Sequence, residues 1–76
     1  MESLHVYPNP GNGVFYVSSP MPIANLSLTN MVGQLINTYQ PISTFFELNI
    51  SDKPCGVYFI KVDYGGKTQV LRVIKE

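Results

Sequence analysis

The chain has 76 residues, five Lys or Arg, five Asp or Glu and no formal net charge. That suits one small domain and excludes the clustered basic surface of a nucleic-acid binder. A single cysteine, Cys55, and a single histidine, His5, exclude an internal disulfide and a zinc site built from Cys and His. Charged residues are 13%, about half the usual ~25%, and a chain of this size buries only about 60% of its unfolded surface, so stability must come from sheet packing and from five Tyr and four Phe.

Turn signals recur every ~8–12 residues and no long segment has helical periodicity, the pattern of a β-sandwich. Leu4–Val6 reads as a first strand. Tyr7-Pro8-Asn9-Pro10-Gly11-Asn12-Gly13 follows as a rigid turn: two prolines fix φ and remove donors, and Gly11 and Gly13 can take positive φ. Val14–Ser18 is a second strand, with Phe15 and Val17 on one face, and Ser19-Pro20-Met21-Pro22 is expected to break it. Ile23–Thr29 is a third, with Ala24, Leu26 and Leu28 facing inward. Asn30-Met31-Val32-Gly33 is a turn with Gly33 at positive φ. Gln34–Tyr39 is a fourth strand, stopped by Pro41, and Phe45–Asn49 a fifth, with Phe46, Leu48 and Ile50 sharing one face. The polar stretch 51–56 has room for a single helical turn. Val57–Tyr64 is a sixth strand with Tyr58, Ile60 and Val62 inward. Gly65-Gly66 suits a two-residue hairpin turn, and Lys67–Lys75 returns as a seventh strand with Leu71 and Val73 toward the core. The expected fold is therefore all-β, a seven-stranded antiparallel immunoglobulin-like β-sandwich.

No catalytic constellation emerges. His5 reads as a surface or edge residue, and Cys55, between Pro54 and Gly56, as a small packing residue. Asp52 and Asp63 lie beside turns without D-x-D spacing, so neither they nor any other group predicts a metal site. Tyr7, Tyr16, Tyr39, Phe45 and Tyr64 suit either a flat sugar-binding platform or, as the favoured reading, cover for a thin core and cross-strand pairs. Phe45 beside Phe46 puts one ring outward. No apolar run approaches the ~20 residues of a membrane-spanning helix. Met1-Glu2-Ser3 lacks the basic start and apolar core of a secretory leader. The low charge and the Ser, Thr, Asn and Gln content suit an extracellular β-domain.

Taken in order, Val6-Tyr7-Pro8-Asn9-Pro10, Gly13-Val14-Phe15, Gly33-Gln34-Leu35-Ile36 and Gly56-Val57-Tyr58-Phe59-Ile60-Lys61-Val62, followed by a last strand ending near Lys75, resemble the C-terminal secretion signal domain of the Bacteroidetes type IX (Por) secretion system. The likeness runs from Leu4 to Glu76. Asn30 stands near where an Asp is common, Cys55 where Ala or Ser is usual, and the chain finishes on an acid. The resemblance implies that residues 1–76 are one non-enzymatic sorting domain, ordered from Leu4 to Glu76, behind an upstream cargo. It implies an outer-membrane translocon and a sortase-like peptidase as partners, with transit through the periplasm and then a cell-surface or secreted location. Tyr7, Pro8, Asn9, Pro10, Gly13, Gly33, Gly56, Tyr58 and Lys75 would be its sorting motif, structural or recognised, with recognition expected on the Gly56–Lys75 hairpin and its terminal residues. No cofactor is called for. The alternative is an accessory glycan- or protein-binding module of a larger secreted hydrolase.

Overall fold

Six antiparallel strands form in the computed structural model, which describes residues 4–76: β1 (His5–Tyr7), β2 (Val14–Asn30), β3 (Leu35–Tyr39), β4 (Ser43–Asn49), β5 (Gly56–Tyr64) and β6 (Lys67–Lys75). No helix occurs among the described residues; the 51–55 connection is irregular turn and bend, and Gly56 already belongs to β5. The leader reading of Met1-Glu2-Ser3 lies outside them.

The strand count corrects the expected seven, because the second and third expected strands are one. β2 runs unbroken for 17 residues through Pro20 and Pro22. A central-strand proline is costly because it removes a ladder hydrogen bond. Ser19 to Pro22, however, have no ladder partner on either side, and the register with β4 jumps between Ser18 and Ile23. The prolines therefore fall where no amide is asked to donate. The Ser19 hydroxyl stitches the passage locally, donating to the Met21 carbonyl at 2.6 Å and accepting from the Met21 amide at 3.2 Å.

This passage is also where the sheet curls. The first part of β2 lies between β1 and β4, pairing Tyr16 with Tyr7 and Glu47. Its second part lies between β3 and β5, pairing Leu28 with Asn37 and Ile60. β6 then pairs along the whole of β5, from Gly56↔Lys75 to Tyr64↔Lys67. The faces turned toward each other hold the core: Phe15, Val17, Ile23, Leu26, Leu28, Leu48, Ile50, Ile60, Val62 and Val73 are fully buried. Each such aliphatic or aromatic side chain contributes roughly 1.5–3 kcal/mol relative to exposure.

The period-two reading holds in β4 and just past its end, where Leu48 and Ile50 are buried, and in β5, where Tyr58, Ile60 and Val62 are. It slips once, at the third expected strand. Ile23 is buried and Ala24 exposed, because the β2–β5 register shifts between Ile23 and Asn25 and the extra residue turns outward. The Gly65-Gly66 turn has φ of 55° and 76°, the pair of positive values that a twisted two-residue hairpin needs.

Candidate functional site

Most of the sequence-selected residues converge on one junction, where the turn after β1 meets the end of β6. Tyr7–Pro8 and Asn9–Pro10 are both cis. The turn leaves β1 and lies along the outer edge of β6. Asn9 works as a two-ended clip: its Nδ2 donates to the Arg72 carbonyl at 2.9 Å, and its Oδ1 accepts from the Ile74 amide at 3.1 Å. Gly11 continues the pairing through backbone alone. Its amide donates to the Ile74 carbonyl at 3.0 Å and its carbonyl accepts from the Glu76 amide at 2.8 Å, a parallel bridge with Lys75. Residues 9–11 thus act as a miniature strand on an edge that would otherwise be open.

The two glycines of this turn have different reasons. Gly13 sits at φ 122°, and a Cβ there would stand 2.6 Å from the Ser51 Cα. Its carbonyl accepts from the Ile50 amide at 2.6 Å, which fixes the end of β4 against the turn. Gly11 does not have the positive φ expected of it. A Cβ there would instead meet the Phe15 ring and the Pro8 carbonyl, each at 3.0 Å, so closeness to the core selects glycine.

Lys75 is buried rather than a free basic tip, at 8% exposure. It pairs with Gly56 across the ladder, its Cε lies beside Gly13, and its Nζ reaches the Cys55 Sγ at 4.0 Å. Cys55 is exposed, which corrects its reading as a packing residue. The loop before β5 turns it outward and Tyr58 fills the inner position, donating from its hydroxyl to the Pro54 carbonyl at 2.5 Å. Tyr7, Pro8, Asn9, Pro10, Gly13, Gly56 and Lys75 therefore meet at one junction, with Tyr58 just inside it. Gly33 stands apart at φ 88° in the β2–β3 turn. There Asn30, noted in the sequence as a turn residue but not among the expected motif residues, is the organising residue: its Oδ1 accepts from the Val32 amide at 3.1 Å and the Gln34 amide at 2.9 Å. An Asn opening a turn is the available signal for that role.

A cavity of about 370 Å³ lies between this turn and the loop before β5, lined by Met31, Val32, Ile36, Pro54, Cys55 and Val57 among others. The five suspected aromatics divide. Tyr7, Tyr16 and Phe45 form a row across three strands on the outer face, with ring centres 5.8 and 5.7 Å apart. Tyr39 instead packs on Phe46 at 5.0 Å, against the core. Tyr64 is buried with its hydroxyl on Gln69. His5 is exposed in β1. Among the described residues, no three His, Cys, Asp or Glu side chains gather as a metal site. No helix there is long and apolar enough to cross a membrane.

Comparison with known proteins places this geometry in context. Residues 5–76 match the family model described as the secretion system C-terminal sorting domain. No curated protein matches the chain. Among solved structures it is similar to PorZ, described as an essential bacterial surface component of the type IX secretion system of Porphyromonas gingivalis, with a TM-score of 0.75 and 21% identity. The match covers 96% of this chain and 11% of that one, so the chain spans about a tenth of PorZ, and at this identity the likeness speaks for the fold.

Proposed function

Because the chain belongs to the family of secretion system C-terminal sorting domains, we propose that it is the type IX export address of a protein joined upstream of it. The family match over residues 5–76 carries this reading. In it, residues 1–76 are one sorting unit with its core from Leu4 to Glu76, an immunoglobulin-like sandwich in which β2 serves both layers. The folded domain is recognised in the periplasm by the outer-membrane translocon. A sortase-like peptidase then removes it, and the cargo is released or fixed to surface lipopolysaccharide. The junction of Tyr7, Pro8, Asn9, Pro10, Gly13, Gly56 and Lys75 supplies a fold that closes without help from whatever precedes it. A shape-read address needs that independence, and it needs no catalytic group of its own.

The test is export of a fluorescent cargo carrying a Sec leader and fused ahead of this domain, in a Bacteroidetes host with a working type IX system. Fluorescence should move to the cell surface or medium, and stay in the periplasm when the secretion system is disrupted. Retention in the intact host would overturn the reading.

The row of Tyr7, Tyr16 and Phe45 favours a second reading, a glycan-binding accessory module of a secreted hydrolase. Ring faces stack on the C–H faces of sugars as they do on one another. Polysaccharide pull-down that is lost in Tyr16→Ala, together with failure of the export assay, would select it.

A further inference from the structure

The junction divides the outer edge of β6 into a closed half and an open half. The Arg72 carbonyl, both backbone groups of Ile74 and the Glu76 amide all turn away from β5 and are taken by Asn9 and Gly11. Backbone groups alternate sides along a strand, so Thr68 and Val70 also present theirs outward, as does the Arg72 amide. β6 pairs only with β5, and the turn reaches no further than Arg72, so among the described residues these five groups have no backbone partner. An unpaired row of this kind is a template for one more strand.

The side chains beside the open half select what that strand carries. Val70 projects outward at 58% exposure. Lys61 stands directly across from it on β5, and Arg72 lies two residues further along β6 on the same face. Both cations are exposed, and the sole ion pair among the described residues joins Lys53 to Asp52 elsewhere. The nearby Asp63 is already engaged, accepting from the Thr68 hydroxyl at 2.6 Å. Asp63 keeps its charge at the Thr68 end, so the open edge is apolar at its centre, at Val70, and positive toward Arg72, which has no acid in ion-pair contact.

We propose that Thr68–Arg72 is the docking edge of this domain for an extended segment of a partner protein. That segment adds antiparallel to β6, with an acidic side chain facing Arg72 and an apolar one facing Val70. The identification of the partner as part of the export machinery rests on the sorting reading; the edge itself does not. The outward backbone groups from the Arg72 carbonyl to the Glu76 amide, within the terminal residues where recognition was expected from the sequence, are occupied by the turn and closed to strand addition in this fold.

The experiment has two arms. In the first, the purified domain is titrated with the capped peptide Thr-Glu-Thr-Val-Thr-Thr-Thr, and amide shifts are followed by NMR. Shifts should centre on Thr68, Val70 and Arg72, and a peptide with Lys in place of Glu should bind at least fivefold more weakly. Val70→Pro should abolish binding. Its amide points outward, so the ladder to β5 is kept, and unchanged spectra at Phe59 and Lys61 report an intact fold. Arg72→Glu, at an exposed position, should reverse the preference between the two peptides. No binding, binding centred elsewhere, or unchanged binding by Val70→Pro overturns the proposal. In the second arm, the export assay is repeated with Val70→Pro, and export should fall at least fivefold. Export equal to the parent domain's overturns the edge as the translocon contact and leaves the sorting reading standing. Failure of the parent domain to export counts against sorting, while the peptide titration still decides the edge.

Discussion

Gly13 carries two constraints at once, and Gly33 only one. Both have positive φ, 122° and 88°, where a side chain is strained. At Gly13 a Cβ also collides with the Ser51 backbone, whereas at Gly33 nothing lies within 4 Å. A residue held at an unfavourable φ costs of order 1–3 kcal/mol, and the Ser51 contact is backbone, which cannot swing aside. Gly33→Ala should therefore lose about 1 kcal/mol, and Gly13→Ala at least about 3 kcal/mol, read as midpoint shifts in urea unfolding. Equal losses would show that the turn moves freely relative to Ser51. Asn9 complements Gly13. Its carboxamide carries a donor and an acceptor on separate atoms, and the Arg72 carbonyl and Ile74 amide are spaced to take both ends. Asp in its place would keep the acceptor and lose the donor.

β2 is the element that makes the curled sheet, and its tolerance of proline is position-specific. Val17 pairs with Val6 on one side and Phe46 on the other and is fully buried. Val17→Pro removes a ladder bond and the packed side chain, a change of ~3 kcal/mol or more. Pro20→Ala, in the unpaired passage, should change stability by less than about 1 kcal/mol. Circular dichroism melts of the two variants compare them directly, and a Pro20→Ala loss as large as that of Val17→Pro would contradict the account of the kink. The same contrast explains what could be read from the chain. Alternation in Phe46-Glu47-Leu48 and in Tyr58 to Val62 is local and survives folding, as does the Gly65-Gly66 turn. The Pro20 and Pro22 signals are local too, but whether a proline breaks a strand depends on what lies beside it, and those neighbours come from elsewhere in the chain. The clip from Asn9 to Arg72 and Ile74 spans 63 and 65 residues, and no local pattern announces it. The motif residues stand out one by one along the chain, whereas the meeting of seven of them at one junction, with Gly33 left apart, is visible only in three dimensions.

Closure of the molecule depends on its first and last segments holding each other. The turn after β1 covers the edge of β6, and β6 in turn supplies Val73 to the core and pairs with β5 to its start. A chain of this length has a net stability of roughly 4–11 kcal/mol. Removing 72–76 would delete fully buried Val73, about 2–4 kcal/mol by analogy with large-to-small core changes. It would also leave Asn9, Gly11 and the start of β5 without partners, at roughly 0.5–1.5 kcal/mol for each lost hydrogen bond. The sum is comparable with the whole, so the truncated domain should lose its cooperative urea transition and the dispersion of its amide spectrum. A truncated domain that still unfolds cooperatively would show that the junction is not what closes the sheet. This dependence bears directly on tests of export. Deletion of the terminal segment removes the fold together with any recognised edge, so a loss of export on deletion cannot distinguish the two. Substitutions that keep β6 paired to β5, such as Val70→Pro and Arg72→Glu, separate being folded from being recognised.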